Sequence, residues 1–134
     1  MGTHNITTRS QFEQDILQQL TASLQLIGLN YEATTLLYTV PSKKHKYLVD
    51  FDMVGPNKTI YIETKGYLSP RDRRKMELVK LSNPDKDIRF VFQNANNKLN
   101  KRSKTTYGEW ATKKGFKWAH KQVPQEWIEE LQNE

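Results

Sequence analysis

Asp50, Glu63 and Lys65 are the residues of this chain whose types and spacing could do chemistry together. They lie in the stretch D-F-D-M-V-G-P-N-K-T-I-Y-I-E-T-K, residues 50–65. An acidic residue is followed there by a Gly55-Pro56-Asn57 turn and then by an extended run carrying E-x-K. Side chains alternate along a strand, so Tyr61, Glu63 and Lys65 share one face while Ile60 and Ile62 take the other. Two carboxylates from neighbouring strands beside an ammonium make a seat for a hard divalent cation, which takes oxygen ligands. An adjacent lysine can orient or deprotonate an attacking water. Such a set suits phosphodiester hydrolysis. Asp52 lies on the same face as Asp50 and competes for the ligand role. A plain salt-bridged Glu63–Lys65 pair on a solvated strand would account for the E-x-K spacing as well.

Glu13 is a further candidate with two competing roles. Ser10-Gln11-Phe12-Glu13 matches the S-x-x-E capping box, which explains the glutamate fully. Metal binding from the first helical turn would use the same carboxylate and forfeit part of the cap, about 1 kcal/mol.

The elements that must position these groups follow from periodicity and punctuation. The cap at Ser10 opens a helix whose stripe is Phe12, Ile16, Leu20, Leu24 and Ile27, with Gly28 ending it. Tyr31 to Val40 reads as a strand, Pro41 to Lys46 as a charged connector, and Tyr47 to Met53 as a resumed strand. After the strand 59–65, Ser69-Pro70 opens a second helix running to about Leu81, closed by Ser82-Asn83-Pro84-Asp85. Ile88 to Phe92 is a short, mostly apolar strand expected to be buried on both faces, and a polar loop spans Asn94 to Lys104. Thr106-Tyr107-Gly108-Glu109 caps a third helix ending at Gly115, Phe116 to Ala119 forms a last strand, and Pro124 starts a terminal helix. Trp110, Trp118 and Trp127 have apolar neighbours and are expected in the core. This order predicts one α/β domain with a mixed sheet, over residues 10–134, after a flexible arm at 1–9.

Composition bounds the partners. A chain of 134 residues with 36% apolar content supports one lean core, which leaves room for stabilisation by a second copy. There is no cysteine, which excludes disulfides and thiolate metal sites. No run of about 18 apolar residues is present, so a membrane span is not expected. The N-terminus lacks a secretory pattern, and a cytoplasmic setting is expected. The three histidines are scattered, without zinc-protease spacing, and no Gly-rich phosphate loop or dinucleotide fingerprint occurs, so no nucleotide cofactor is expected. A net charge of +6 favours a polyanion. The cations cluster as Lys43, Lys44 and Lys46, as Arg71, Arg73, Arg74 and Lys75, and as Lys98, Lys101, Arg102 and Lys104. They are either solvated faces or phosphate contacts flanking the acidic set. No base-reading device accompanies them, which points to recognition of shape.

Asp50, a spacer, then Glu63-Thr64-Lys65 resembles the PD-(D/E)xK nuclease motif. From about Ser10 to Trp127 the chain resembles the phage endonuclease I family, the Holliday-junction resolvases of the T-odd phages. The likeness rests on R-S-Q-F-E at 9–13, Y-L-V-D-F at 47–51, Y-I-E-T-K-G at 61–66, D-I-R-F-V-F at 87–92, T-Y-G-E-W at 106–110 and P-Q-E-W-I at 124–128. Val49 stands where the motif usually has proline, and the termini are short and nearly free of Lys and Arg.

The resemblance implies a restriction-endonuclease-like core in an element-swapped homodimer. Asp50, Glu63, Glu13 and the Thr64 carbonyl would hold one or two Mg²⁺ ions, with Mn²⁺ substituting, and Lys65 would be the catalytic lysine. The implied substrate is branched DNA, four-way junctions first, in the host cytoplasm if the chain is phage-encoded. A bridge near 40–46 would let two chains exchange elements. Each site would then take its helix glutamate from the other protomer, and a monomer could not assemble a full site. The alternatives are a linear-duplex nuclease of the same superfamily, of restriction or transposon-end type, and a catalytically silent DNA-binding module.

Overall fold

The computed structural model describes residues 7–40 and 43–133. The arm expected at 1–9 therefore falls mostly outside the described residues. Ser10 caps helix α1 (Gln11–Thr21) from extended backbone, its Oγ accepting the Glu13 amide at 3.1 Å. The cap is not reciprocal, because Glu13 Oε1 accepts from the Arg9 amide instead, at 2.9 Å. The helix also stops well short of Gly28. Thr21 Oγ1 donates back to the Leu17 carbonyl at 2.7 Å and Ser23 Oγ accepts from the Gln25 amide, so Thr21-Ala22-Ser23 offers the backbone partners that compete with the helical ladder. Ile16, Leu17 and Leu20 form the buried stripe, whereas Leu24 is 98% exposed.

The first strands also divide more finely than the sequence pattern. Gly28 opens β1 (Gly28–Tyr31), and the chain breaks at Glu32, whose φ of 49° ends the extended run. β2 (Thr35–Val40) and β3 (Lys43–Leu48) then pair antiparallel as a separate two-stranded sheet. Lys43, Lys44 and Lys46 thus stand on a strand and not in a connector, while Pro41 and Ser42 lie outside the described residues. Tyr47 is buried while Lys44, Lys46 and Leu48 face outward, the alternation of a strand packed on one side. A second break at Val49-Asp50 precedes β4 (Phe51–Val54).

β4 turns through Gly55-Pro56-Asn57 into β5 (Thr59–Lys65), with the Gly55 amide donating to the Lys58 carbonyl at 2.9 Å. Helix α2 (Pro70–Ser82) crosses to β6 (Asp87–Phe92), and α3 (Tyr107–Lys113) crosses to β7 (Lys117–His120). Both helices start with complete capping boxes, Ser69 with Asp72 and Thr106 with Glu109. α4 (Gln125–Asn133) closes the chain. The main sheet runs β1-β4-β5-β6-β7, antiparallel across its first two pairings and parallel across its last two. It is a mixed five-stranded α/β sheet flanked by helices.

Each face of the sheet carries a core. Ile60, Ile62, Phe51 and Met53 pack with Ile16, Leu17 and Leu20 of α1 and with Trp127, Ile128 and Leu131 of α4. On the other face Phe90 and Phe92 meet Met76 and Val79 of α2, Trp110 of α3, and Leu36, Tyr38 and Tyr47 of the hairpin. Trp118 is the exception among the tryptophans. It lies 36% exposed on the edge strand β7, its indole N–H bonded to Thr112 Oγ1 at 2.8 Å. No helix among the described residues is long and apolar enough to cross a membrane.

Candidate metal centre

β5 and β6 are parallel, and Lys65 pairs with Phe92 at their C-terminal ends. Ligand sites of α/β sheets gather at that end of the strands. There a cleft is lined by Arg9, Glu13, Asp50, Glu63, Thr64 and Lys65. Asp50 enters from the break between β3 and β4. Its Oδ2 accepts both the amide and the hydroxyl of Thr64, at 2.9 and 3.0 Å. Glu63 comes from β5, where Tyr47 of β3 donates its phenol to Oε1 at 2.5 Å in a fully buried contact. Lys65 Nζ lies 3.4 Å from Glu63 Oε2 and 3.3 Å from Asp72 Oδ1. The α2 capping box therefore holds the lysine as well as the helix.

Glu13 reaches the same cleft because α1 packs on β4 and β5 of its own chain. The helix glutamate therefore lines this cleft together with Asp50 and Glu63. Oxygens of Glu13, Asp50 and Glu32 all lie within 4.8 Å of one another. Arg9 touches all three carboxylates, through Nε to Glu32 Oε2 at 2.7 Å and through Nη2 to Asp50 Oδ1 at 3.3 Å and Glu13 Oε2 at 3.5 Å. Glu63 lines the cleft but stands outside this trio, its two oxygens turned to Tyr47 and Lys65. Asp52, the rival to Asp50, is buried and bonded to Thr34 through Oδ2, away from the trio.

The electrostatics suit a cation. Burial above all, with Glu63 and Glu13 adding to it against the Thr64 hydrogen bonds, pushes Asp50 up to about 8. Burial likewise raises Glu63, despite Lys65 and the Tyr47 hydrogen bond. Lys65 shows the opposite balance. Burial acts to lower it, but Glu63 and Asp72 outweigh that and hold it above its ordinary value. Desolvated carboxylate oxygens crowded together are donors that a hard divalent ion stabilises. The donor set fits such an ion.

The sequence profile described as phage endonuclease I matches residues 2–134. Endonuclease I of Escherichia phage T7 is 40% identical over 126 residues, covering 94% of this chain and 81% of that protein. Endodeoxyribonuclease 1 of Enterobacteria phage T3 is 38% identical over 126 residues, covering 94% and 80%. The chain belongs to the phage endonuclease I family. In this member of the family, Glu32 and Arg9 join a site that sequence reasoning limited to Glu13, Asp50, Glu63, Thr64 and Lys65. The Arg9–Glu13 spacing of four residues was the available signal for Arg9. Tyr47 was missed as a site residue because a strand tyrosine ordinarily reports packing.

The clustered basic residues are placed unevenly. Arg71 and Arg74 are exposed at the start of α2, directly after the site strand, whereas Arg73 is half-buried and donates to the Leu68 carbonyl at 3.1 Å. Lys98, Lys101, Arg102 and Lys104 are exposed in the loop that leaves the C-terminal end of β6. Lys75 lies over the Tyr47 ring, 5.2 Å from its centroid, and so packs behind Glu63.

Proposed function

We propose that this chain is a divalent-metal-dependent endodeoxyribonuclease that resolves four-way junctions and other branched DNA as a homodimer. The observation that carries this is the meeting of Glu13, Asp50, Glu63 and Lys65 in one cleft at the C-terminal ends of β5 and β6. The names of the T7 and T3 relatives support DNA phosphodiester hydrolysis.

Asp50, Glu63, Glu13 and the Thr64 carbonyl would hold one or two Mg²⁺ ions, which Mn²⁺ would replace. Bound there, such an ion stabilises charge on the phosphoryl group and acidifies water. Thr64 fixes the Asp50 carboxylate through two hydrogen bonds, and Tyr47 fixes Glu63. In the metal-free cleft Glu63 and Asp72 hold Lys65 protonated, which favours positioning of the nucleophile and the phosphate over taking the proton. Arg71, Arg74, Lys98, Lys101, Arg102 and Lys104 neutralise phosphates on either side of the scissile bond, and Lys43, Lys44 and Lys46 of the hairpin extend the contact. Two-fold symmetry of the dimer places two such sites for matched cuts in opposing strands.

The test is cleavage of a synthetic four-way junction and a matched linear duplex in Mg²⁺, with wild type, Glu63→Ala and Lys65→Ala. Wild type is expected to cut the junction in paired strands and leave the duplex largely intact, with both variants inactive but still binding. Equal cutting by all three, or preference for the duplex, removes the proposal.

A further inference from the structure

Arg9 lies one residue ahead of the α1 cap, and its side chain is 67% exposed. Its guanidinium nevertheless contacts every carboxylate of the Glu13–Glu32–Asp50 trio. We infer that Arg9 is the resident counter-cation of this site, which a divalent ion displaces, so that metal loading is a cation exchange. The inference rests on the proposed metal role of Glu13 and Asp50, which the guanidinium contacts together with Glu32.

Three observations support exchange over co-occupancy. First, the guanidinium addresses the same crowded oxygens that an ion would need, and two cations cannot share that space. Arginine keeps its proton at any ordinary pH, so it can yield the seat only by moving. Second, the backbone around Arg9 is pinned independently of its side chain. The Arg9 amide donates to Glu13 Oε1 at 2.9 Å and to the Tyr31 hydroxyl at 3.2 Å. The guanidinium can therefore swing outward while α1 stays capped. Third, Glu13 is divided between two tasks. Oε1 accepts from the Arg9 amide and from the Tyr31 hydroxyl, the latter at 3.1 Å, while Oε2 faces only the guanidinium among the described contacts. Departure of the side chain releases Oε2 without disturbing the oxygen that holds the helix end.

Removing the resident cation should then tighten metal binding and loosen the metal-free fold. An Arg9 that merely supports the ligands would have the opposite effect on affinity, since its removal would weaken the site. Mn²⁺ is titrated calorimetrically into full-length wild type, Arg9→Gln and Arg9→Lys at constant ionic strength, and melting is followed with and without the ion. Arg9→Gln should bind Mn²⁺ about tenfold more tightly, melt lower in chelator, and gain more on loading, with Arg9→Lys between. In ¹⁵N spectra of wild type, the Arg9 Nε–Hε signal should shift on saturation with Mg²⁺ as the guanidinium leaves Glu32. Equal or weaker binding by Arg9→Gln, or an Nε–Hε signal unmoved by Mg²⁺, overturns the exchange while leaving the metal site standing. Absence of Mn²⁺ binding by all three proteins overturns both.

Discussion

Tyr47→Phe removes a single oxygen from the core and leaves the ring that Lys75 covers. That oxygen carries the 2.5 Å hydrogen bond to Glu63 Oε1, at a carboxylate that burial already pushes toward its neutral form. A hydrogen bond to a charged group contributes about 1.5–3 kcal/mol. Its loss falls mainly on the ionised form of Glu63, so the carboxylate should be pushed further toward its neutral form. A metal must then compete with a more tightly held proton, and the lost hydrogen bond converts to about 10- to 100-fold in apparent affinity, at about 1.4 kcal/mol per factor of ten. Tyr47 itself stays a donor across the working range, because burial, with Glu63 and Asp50 beside it, holds the phenol well above its ordinary value.

The assay is calorimetric Mn²⁺ binding by wild type and Tyr47→Phe at pH 7 and pH 9, with urea unfolding in chelator as the control for folding. The variant should bind about 10- to 100-fold more weakly at pH 7 and recover part of that loss at pH 9, because proton competition weakens as the pH rises. A deficit of equal size at both pH values would mean that Tyr47 acts through shape and not through charge. No deficit at pH 7 would remove its role in the site.

Two further outcomes test the frame around the site. Asp50 is raised to about 8, so its contribution to metal-free stability is full below the ordinary aspartate value of 3.8 and is lost as pH rises through about 8. Glu130 is lowered to about 2 by Arg89, so its contribution is full above 4.5 and is lost as pH falls toward 2. Urea unfolding in chelator should therefore show greatest stability on the mildly acid side, and saturating Mg²⁺ should lift the neutral and alkaline limb. A maximum that stays above pH 8 in chelator would contradict the strain assigned to Asp50. Gly55→Ala places a methyl 2.7 Å from the Leu131 carbonyl oxygen, which is backbone and cannot rotate aside. It should cost about 1–3 kcal/mol by urea unfolding with Mn²⁺ affinity unchanged, and a stability equal to wild type would show that α4 is not seated against the β4–β5 turn.

The second half of the fold was legible in the sequence because its punctuation is local. Ser69-Pro70 with Asp72, and Thr106 with Glu109, state where helices begin, and Gly115 at φ 85° states where one ends. The first half was less legible because its boundaries depend on competition. Thr21 and Ser23 draw the backbone out of the helix although Leu24 and Ile27 continue its apolar period. The basic run 43–46 resembled a connector until its pairing with β2 gave it a packed face. Asp50, Glu63 and Lys65 were visible as a motif because a short hairpin keeps them close in sequence. Glu32 was not, since nothing in Y-E-A-T-T marks it. Only the pairing of Tyr31 with Phe51, and the Glu32 amide on the Asp50 carbonyl at 3.0 Å, bring it to the site.

The two ends of β5 and β6 show what the site is built for. Lys58 and Arg89 meet Asp87 and Glu130 at the ends where these strands begin, two cations against two carboxylates among the described ion pairs. At the ends where they finish, Arg9 and Lys65 are the cations in ion pairs with Glu13, Glu32, Asp50, Glu63 and Asp72. In these ion pairs two positive groups, with Lys75 acting on Glu63 from behind, face five acidic ones, several of them desolvated. A fold selected only for stability would neutralise that end as it does the other, since crowded buried carboxylates raise one another's cost. In the proposed function the surplus would have a use: these carboxylates would hold a doubly charged ion that offsets their mutual repulsion, while Lys65, already fixed by Glu63 and Asp72, would stay beside the phosphate. Instability at one end of the sheet would then be the source of affinity for the cation, and the balanced network at the other end would keep the two strands in register.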